Sequence, residues 1–374
     1  MKPRLPLVPA VAWITLVALL VTWLLTWSPT AAAADRADGL LARSHALQRA
    51  QQAVLGVLAV AVDDARSAST LGKARSGSGV LIGADGLVLT IGYLVLEAEA
   101  VALVHDDGRL VPARVLGYDV ATGFGLLQAL TPLGLEPAPL GRSGAVAAEE
   151  LLMIASGGRD GTVSLAQLVS RRAFAGYWEY HIEDALFTAP PRRDHSGAGL
   201  FNGAGELVGI GSLLVADAAG NVAGRSGGVA DRGGSGGGSG VEDSAAERVR
   251  RSGNLFVPVD LVTPILAELR ARGFSAASRR AWLGMNCAVQ DGRIRVLRVS
   301  DDSPADVAGL AAGDGILRID GTEVRALDQL WKTLWAGGAP EREISLEIER
   351  DNVVQTLKVF SVDRMKTLKR AKGI

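Results

Sequence analysis

The chain of 374 residues holds one cysteine, Cys287, and four histidines, His45, His105, His181 and His195. A lone cysteine forms no intramolecular disulfide. Histidines this scattered have no ligand spacing for zinc, so neither a metal site nor any other cofactor is expected. A formal net charge of -1 supplies no electrostatic reason to bind nucleic acid. Aromatic residues make up 5% of the chain, and none falls between Trp27 and Tyr93. That stretch therefore lacks the side chains that anchor many protein interfaces.

Long apolar runs are also scarce, with one exception at the amino end. Lys2 and Arg4 precede an uncharged apolar run over residues 10–27, and Ala32-Ala33-Ala34 follows as a small-residue cleavage pattern. Residues 1–34 thus read as an export segment, either cleaved near Ala34 or retained. A cleaved signal carries an apolar stretch of roughly 7–15 residues and a spanning helix about 17–25. The run sits at the spanning end, and Trp13, Trp23 and Trp27 suit interfacial placement, with the basic end cytoplasmic. The expectation is an exported chain tethered to the membrane by residues 10–27.

What the sequence has in quantity is short apolar runs separated by turns. Residues 44–52 are polar and compatible with a helix. Residues 53–62 open the series, followed by Gly79-Val80-Leu81-Ile82, Leu87-Val88-Leu89-Thr90, Val101-Ala102-Leu103-Val104 and Leu151-Leu152-Met153-Ile154. Turn signals such as Ala84-Asp85-Gly86 and Asp106-Asp107-Gly108 fall between them. Many short strands without long intervening helices predict a mainly β fold, an antiparallel barrel or sandwich. Composition breaks over residues 217–253, where Gly, Ser, Ala and charge dominate. Such a segment buries too little apolar surface to offset its ordering entropy and reads as a flexible loop. The residues after it, Asn254-Leu255-Phe256-Val257-Pro258-Val259 and an amphipathic helix over 263–272, must pack on something. The loop is therefore read as an insertion within a domain spanning 35–274, with the boundary near residues 274–278.

A family resemblance rests on four strings. Asp194-His195-Ser196-Gly197-Ala198-Gly199 looks like the nucleophile loop of a chymotrypsin-fold serine protease, and residues 76–90, Ser-Gly-Ser-Gly-Val-Leu-Ile-Gly-Ala-Asp-Gly-Leu-Val-Leu-Thr, resemble the early hairpin of HtrA/Deg-type proteases. Phe256-Val257-Pro258-Val259-Asp260 looks like the end of their barrel. Trp282-Leu283-Gly284-Met285, with residues 303–321, is similar to their PDZ domain. The resemblance implies a chymotrypsin-like double β-barrel, a PDZ domain of α+β type over 275–363, and a basic tail over 364–374 that reads as solvated.

Carried over residue by residue, the resemblance places Ser196 at the nucleophile and Tyr93 where the family has its histidine base. Gly123 stands at the aspartate that orients the base, and Asp194 at a glycine whose amide helps form the oxyanion hole. Tyrosine, with a reference pKa of about 10, accepts protons poorly at neutral pH. Glycine orients nothing, and a carboxylate at 194 is expected to oppose a developing oxyanion. Among replacement bases, His105 reads as a strand-end surface residue, and His181, in an alternating segment over 177–182, has the better route to the cleft. The adjacency of Asp194, His195 and Ser196 reads as coincidence, since neighbouring side chains do not converge on one centre.

In the PDZ region, strands are expected over 285–289, 294–299 and 316–319, with a helix over 327–335. Its mechanism is strand addition: a peptide pairs with the exposed sheet edge and its carboxylate is received by loop amides. Arg280, Trp282, Leu283, Gly284, Met285 and Leu330 are the expected peptide-binding residues. The resulting reading is an inactive HtrA-like protein of the bacterial periplasm that binds peptide C-termini or unfolded envelope proteins through its PDZ domain. The alternatives are a serine endopeptidase of envelope quality control that uses Ser196 with another base, and a scaffold for an active homologue. A homo-oligomer or mixed assembly fits the family, although the aromatic-free stretch puts the usual trimer in doubt.

Overall fold

The computed structural model describes residues 29–220 and 251–369. The chain divides into two compact units, Met1–Ala46 and Leu47–Ile374. A helix, Pro29–Gln52, begins the described part. Among the described residues no helix is long and apolar enough to cross a membrane. The apolar run over 10–27 and the glycine-rich centre of the insertion lie outside the described residues.

Two closed six-stranded barrels follow, the double barrel that the resemblance implies and one of the two β architectures that the short apolar runs admit. The first comprises β1 (Val54–Ala61), β2 (Ala74–Gly83), β3 (Leu87–Ile91), β4 (Ala98–Val104), β5 (Leu110–Tyr118) and β6 (Phe124–Ala129), closed in the order β1-β2-β3-β6-β5-β4. Every residue of β3 is buried, because one face fills the barrel and the other is covered, which is why its sequence is a continuous apolar run rather than an alternation. The second comprises β7 (Leu151–Ala155), β8 (Val163–Ala175), β9 (His181–Ala189), β10 (Gly199–Phe201), β11 (Leu207–Val215) and β12 (Gly253–Pro258). β12, the strand after the insertion, lies between β11 and β9, with Ile210 opposite Val257 and Leu255 opposite Phe187. The glycine-rich stretch therefore interrupts a barrel that closes only after it. Phe124, Phe187, Phe201 and Leu126 are fully buried in the main core, and Phe256 in a smaller core with Leu152, Ile154 and Leu186.

The last part of the chain is a sheet in the order β14 (Met285–Gln290), β15 (Arg293–Val299), β16 (Gly315–Ile319), β18 (Glu343–Arg350), β19 (Val353–Phe360), with β17 (Thr322–Glu323) against β16 and a short pair, β13 (Ala281–Trp282) with β20 (Val362–Asp363). The helix Leu327–Ala336 packs Leu327, Leu330, Trp331 and Leu334 into this core, the spacing of one apolar helical stripe.

Three expectations need correcting. His105 is buried, with Arg109 Nη2 2.9 Å from its Nε2, rather than a surface residue. Residues 177–180 are not a strand but the connection between β8 and β9. The tail is not simply solvated: Lys369 donates its backbone N–H to Glu97 (3.0 Å) and pairs with Asp64, and Lys366 pairs with Glu341.

Candidate active site and peptide groove

Ser196 sits in the loop before β10, where the first barrel meets the second. Its carbonyl accepts from Ser78 N of β2 (2.8 Å), and Gly197 N donates to the Gly211 carbonyl of β11 (2.8 Å). Gly197 has φ +74°, and a Cβ there would lie 1.9 Å from the Ser78 carbonyl oxygen. Only glycine fits so close an approach at a left-handed backbone. The loop geometry of the nucleophile is thus built into both barrels.

Tyr93 comes from the short helix Gly92–Val95 that follows β3. Its Oη lies 2.8 Å from Ser196 Oγ and 2.8 Å from the Ser212 carbonyl oxygen of β11. A phenol carries one proton, and a carbonyl oxygen only accepts. The phenolic proton therefore goes to Ser212, and the Ser196 hydroxyl donates to the phenol oxygen. Burial pushes Tyr93 up to about 12, against the smaller opposing effect of the Ser196 bond. At pH 7 roughly one phenol in 10^5 is ionised, so the phenol meets the Ser196 hydroxyl as a neutral group.

The space beside Gly123, the residue read from the sequence at the orienter position, is filled by Tyr180. Gly123 has φ +85°, and a Cβ on it would meet Tyr180 Oη at 2.9 Å. Tyr180 Oη donates to the Thr122 carbonyl (2.6 Å), and Tyr180 stacks against Trp178 with centroids 5.6 Å apart. A nearby carboxylate, Asp119, is committed elsewhere. It accepts from Thr122 N and Oγ1 and from Ser275 and Ser278, tying the end of the barrels to the linker that leads to β13.

Asp194, Ser196 and His195 face three different ways. The Asp194 carboxylate pairs with Arg192 and accepts from Ser156 Oγ (2.6 Å) and Thr162 Oγ1 (2.9 Å). Burial opposes its charge, but these bonds outweigh burial and hold the carboxyl well below the usual range. Its charge is matched by Arg192. His195 Nδ1 lies 3.0 Å from the Arg192 carbonyl oxygen, and burial lowers its pKa. His181 lies 3.9 Å from Glu183, beside Lys332 of the Leu327–Ala336 helix. No histidine is hydrogen bonded to Ser196 among the described residues.

The PDZ loop does hold a carboxylate, and it belongs to the same chain. Glu179, in the connection between β8 and β9, accepts at Oε1 from Leu283 N (3.1 Å), Gly284 N (2.7 Å) and Met285 N (3.2 Å). Burial lifts its pKa to about 7, in spite of the backbone N–H bonds from Gly284, Met285 and Leu283 and the charge of Arg364. Two residues earlier, the Tyr177 carbonyl accepts from Cys287 N of the edge strand β14 (2.6 Å), and the Gly176 carbonyl accepts from Trp331 Nε1 (2.9 Å). The amides of Leu283, Gly284 and Met285 thus face a carboxylate supplied from within the chain. The other three residues expected to bind peptide make different contacts. Leu330 is fully buried in the core, as is its neighbour Trp331, whose Nε1 reaches the Gly176 carbonyl. Arg280 lies over the Trp335 ring at 4.1 Å with its Nε donating to the Ala277 carbonyl, and the Trp282 ring carries Arg364 at 4.6 Å.

Comparison with known proteins agrees with this architecture. The trypsin-like peptidase domain pattern matches residues 77–210, and the PDZ domain pattern matches residues 281–360. A probable periplasmic serine endoprotease, DegP-like, of Ectopseudomonas mendocina is 27% identical over 297 residues, covering 76% of this chain and 55% of that protein. The serine endoprotease DegS of Haemophilus influenzae is 24% identical over 258 residues, covering 66% and 65% respectively. The chain thus spans between about half and two thirds of the length of these relatives. Among solved structures, the HtrA-type protease AlgW with decapeptide has the same fold, with a TM-score of 0.50 at 20% identity over 86% of this chain and 98% of that one. Two six-stranded barrels joined through the linker at Ser275 and Ser278 to a PDZ domain thus match, in order, a trypsin-like peptidase domain and a PDZ domain, and the chain is similar over most of its length to DegP-like and DegS serine endoproteases.

Proposed function

We propose that the chain is a catalytically silent HtrA-type protein of the periplasm whose working surface is its PDZ groove, which receives peptide C-termini or extended segments of unfolded proteins. The observation that carries the reading is the bond from Ser196 to Tyr93. A serine needs a base and an oriented base to become a nucleophile, and removing members of such a unit costs on the order of 10^4–10^6 in turnover. The named relatives are endoproteases, so loss of activity is a departure within the family. The receiving amides of Leu283, Gly284 and Met285 support carboxylate recognition. The proposed organisation is an export segment or membrane tether over 1–34, a protease-like domain over 35–274, a PDZ domain over 275–363 and a tail from 364.

The reading is tested with purified protein, a fluorophosphonate probe and unfolded casein. No labelling above that of Ser196→Ala, and no cleavage, is the expected result. Labelling at Ser196 together with Ser196→Ala-sensitive cleavage would establish instead an endopeptidase that uses another base.

A further inference from the structure

We propose that residues 176–180 are a built-in ligand of the PDZ groove, with the Glu179 side chain standing in for a peptide's terminal carboxylate, so that an outside peptide binds only by displacing it. The proposal rests on the reading of the PDZ domain as a peptide receptor and adds a competitor that the chain itself carries.

The contacts reproduce two elements of strand addition, the carboxylate in the loop and one carbonyl on the edge strand. A peptide docked on a sheet edge offers a carboxylate to the loop before the strand and backbone carbonyls to alternate strand amides. Here the carboxylate bonds to three successive amides, Leu283, Gly284 and Met285, and the carbonyl two residues before Glu179 bonds to Cys287 N, two residues beyond Met285. The two spacings match, and they are presented by a tight turn in which Gly176 N donates to the Tyr180 carbonyl (2.9 Å) and Tyr180 N to the Trp178 carbonyl (2.6 Å). Trp331 Nε1 closes the third side by donating to the Gly176 carbonyl. Lys332 of the same helix pairs with Glu183 at 2.8 Å, holding β9 to the groove. Glu179 is buried, so no room is left for a second carboxylate on the same amides.

A groove filled from within has an apparent affinity reduced by the fraction of molecules in which it is open. An internal segment also has a high effective concentration, which a dilute peptide must overcome. Truncating the carboxylate should therefore raise affinity for an outside peptide, whereas truncating a residue that contacts the peptide directly lowers it.

The experiment uses the full chain and two readouts. Amide hydrogen exchange at residues 283–287 is compared between the wild type and Glu179→Ala, and a fluorescent decapeptide ending in Leu-Val with a free carboxylate is titrated into both, with its C-terminal amide alongside. The expected results are exchange at these amides at least ten times faster in Glu179→Ala, with barrel amides unchanged, and a Kd for the free-acid peptide at least ten times lower. The amide peptide should gain nothing. Equal exchange in the two proteins, or equal Kd values for a peptide that does bind, would overturn the internal ligand. Faster exchange without binding of the peptide by either protein would support the internal ligand and count against the receptor reading. Glu179→Gln, which keeps the shape and one acceptor, provides a second measure if Glu179→Ala does not fold, with an effect of the same sign.

Discussion

The phenol oxygen of Tyr180 lies where a side chain on residue 123 would begin, 2.9 Å from the position of a Cβ built on Gly123. The place that would orient a catalytic base is thus packed with an aromatic ring, which Phe174 and Trp178 flank.

Restoring the family's catalytic residues should consequently fail. Gly123→Asp introduces a side chain at φ +85°, costing about 1–2 kcal/mol in backbone strain alone, and it also displaces Tyr180 from its bond to the Thr122 carbonyl. A protein carrying Tyr93→His, Gly123→Asp and Asp194→Gly together should unfold at lower urea than wild type and should cleave no casein. Recovery of Ser196-dependent cleavage at undiminished stability would show that the space near residue 123 opens more readily than its packing implies.

Much of this is legible in the sequence, and the reasons for the rest are physical. The barrels follow from short apolar runs whose length and spacing admit strands and little else, and β12 belongs to the second barrel because Leu255, Phe256 and Val257 have to be buried. Tyr93 beside Ser196 is legible through the family resemblance, which sets Tyr93 at the position of the family's histidine. Glu179 is not legible, because a turn has no periodicity to betray its partner. The segment Tyr177-Trp178-Glu179-Tyr180 reads as an alternating strand. Its one signal is an acid enclosed by three aromatic residues, too apolar a setting for a solvated carboxylate. His105 and Lys369 escape for a related reason: their partners are Arg109 across a turn and Glu97 and Asp64, far away in sequence.

The Asp119 carboxylate should be a major stabiliser of the barrel-to-PDZ linker. It is buried, and it accepts from Thr122 N (2.9 Å), Thr122 Oγ1 (2.7 Å), Ser275 N (3.1 Å) and the hydroxyls of Ser275 and Ser278. Burial works against its charge, but the bonds from Ser275, Ser278 and Thr122 prevail and hold its pKa below the ordinary value of 3.8. A carboxyl with a lowered folded pKa contributes stability that is present above its unfolded value and lost as pH falls through the folded one. Asp119→Ala strands several buried donors, each costing about 1–3 kcal/mol, so a loss of about 3 kcal/mol or more at pH 7 is expected in urea unfolding. The loss should shrink below pH 3.8, where the wild type loses the same interaction. A substitution within about 0.5 kcal/mol of wild type at pH 7 would assign the linker's stability to its apolar contacts instead.

Docking of Glu179 should weaken as pH rises. Burial lifts its pKa to about 7, against an ordinary value of 4.5, despite the opposing N–H bonds from Gly284, Met285 and Leu283 and the positive charge of Arg364. A carboxyl that binds its proton more tightly when docked gives docking its full strength below 4.5 and loses that contribution as pH rises through about 7. The other groups facing this joint are Arg280 before β13, the buried Cys287 thiol on β14, His181 and Glu183 on β9, and Lys332 on the Leu327–Ala336 helix. Among these, His181 acts in the opposite sense. Its pKa is lowered by burial, so its protonation disfavours docking as pH falls. If Glu179 governs, affinity for a peptide with a free C-terminus should rise about tenfold from pH 5.5 to pH 7.5 and become flat in Glu179→Gln. A profile that falls with pH, and persists in Glu179→Gln but not in His181→Gln, would make His181 the group whose charge controls access to the groove.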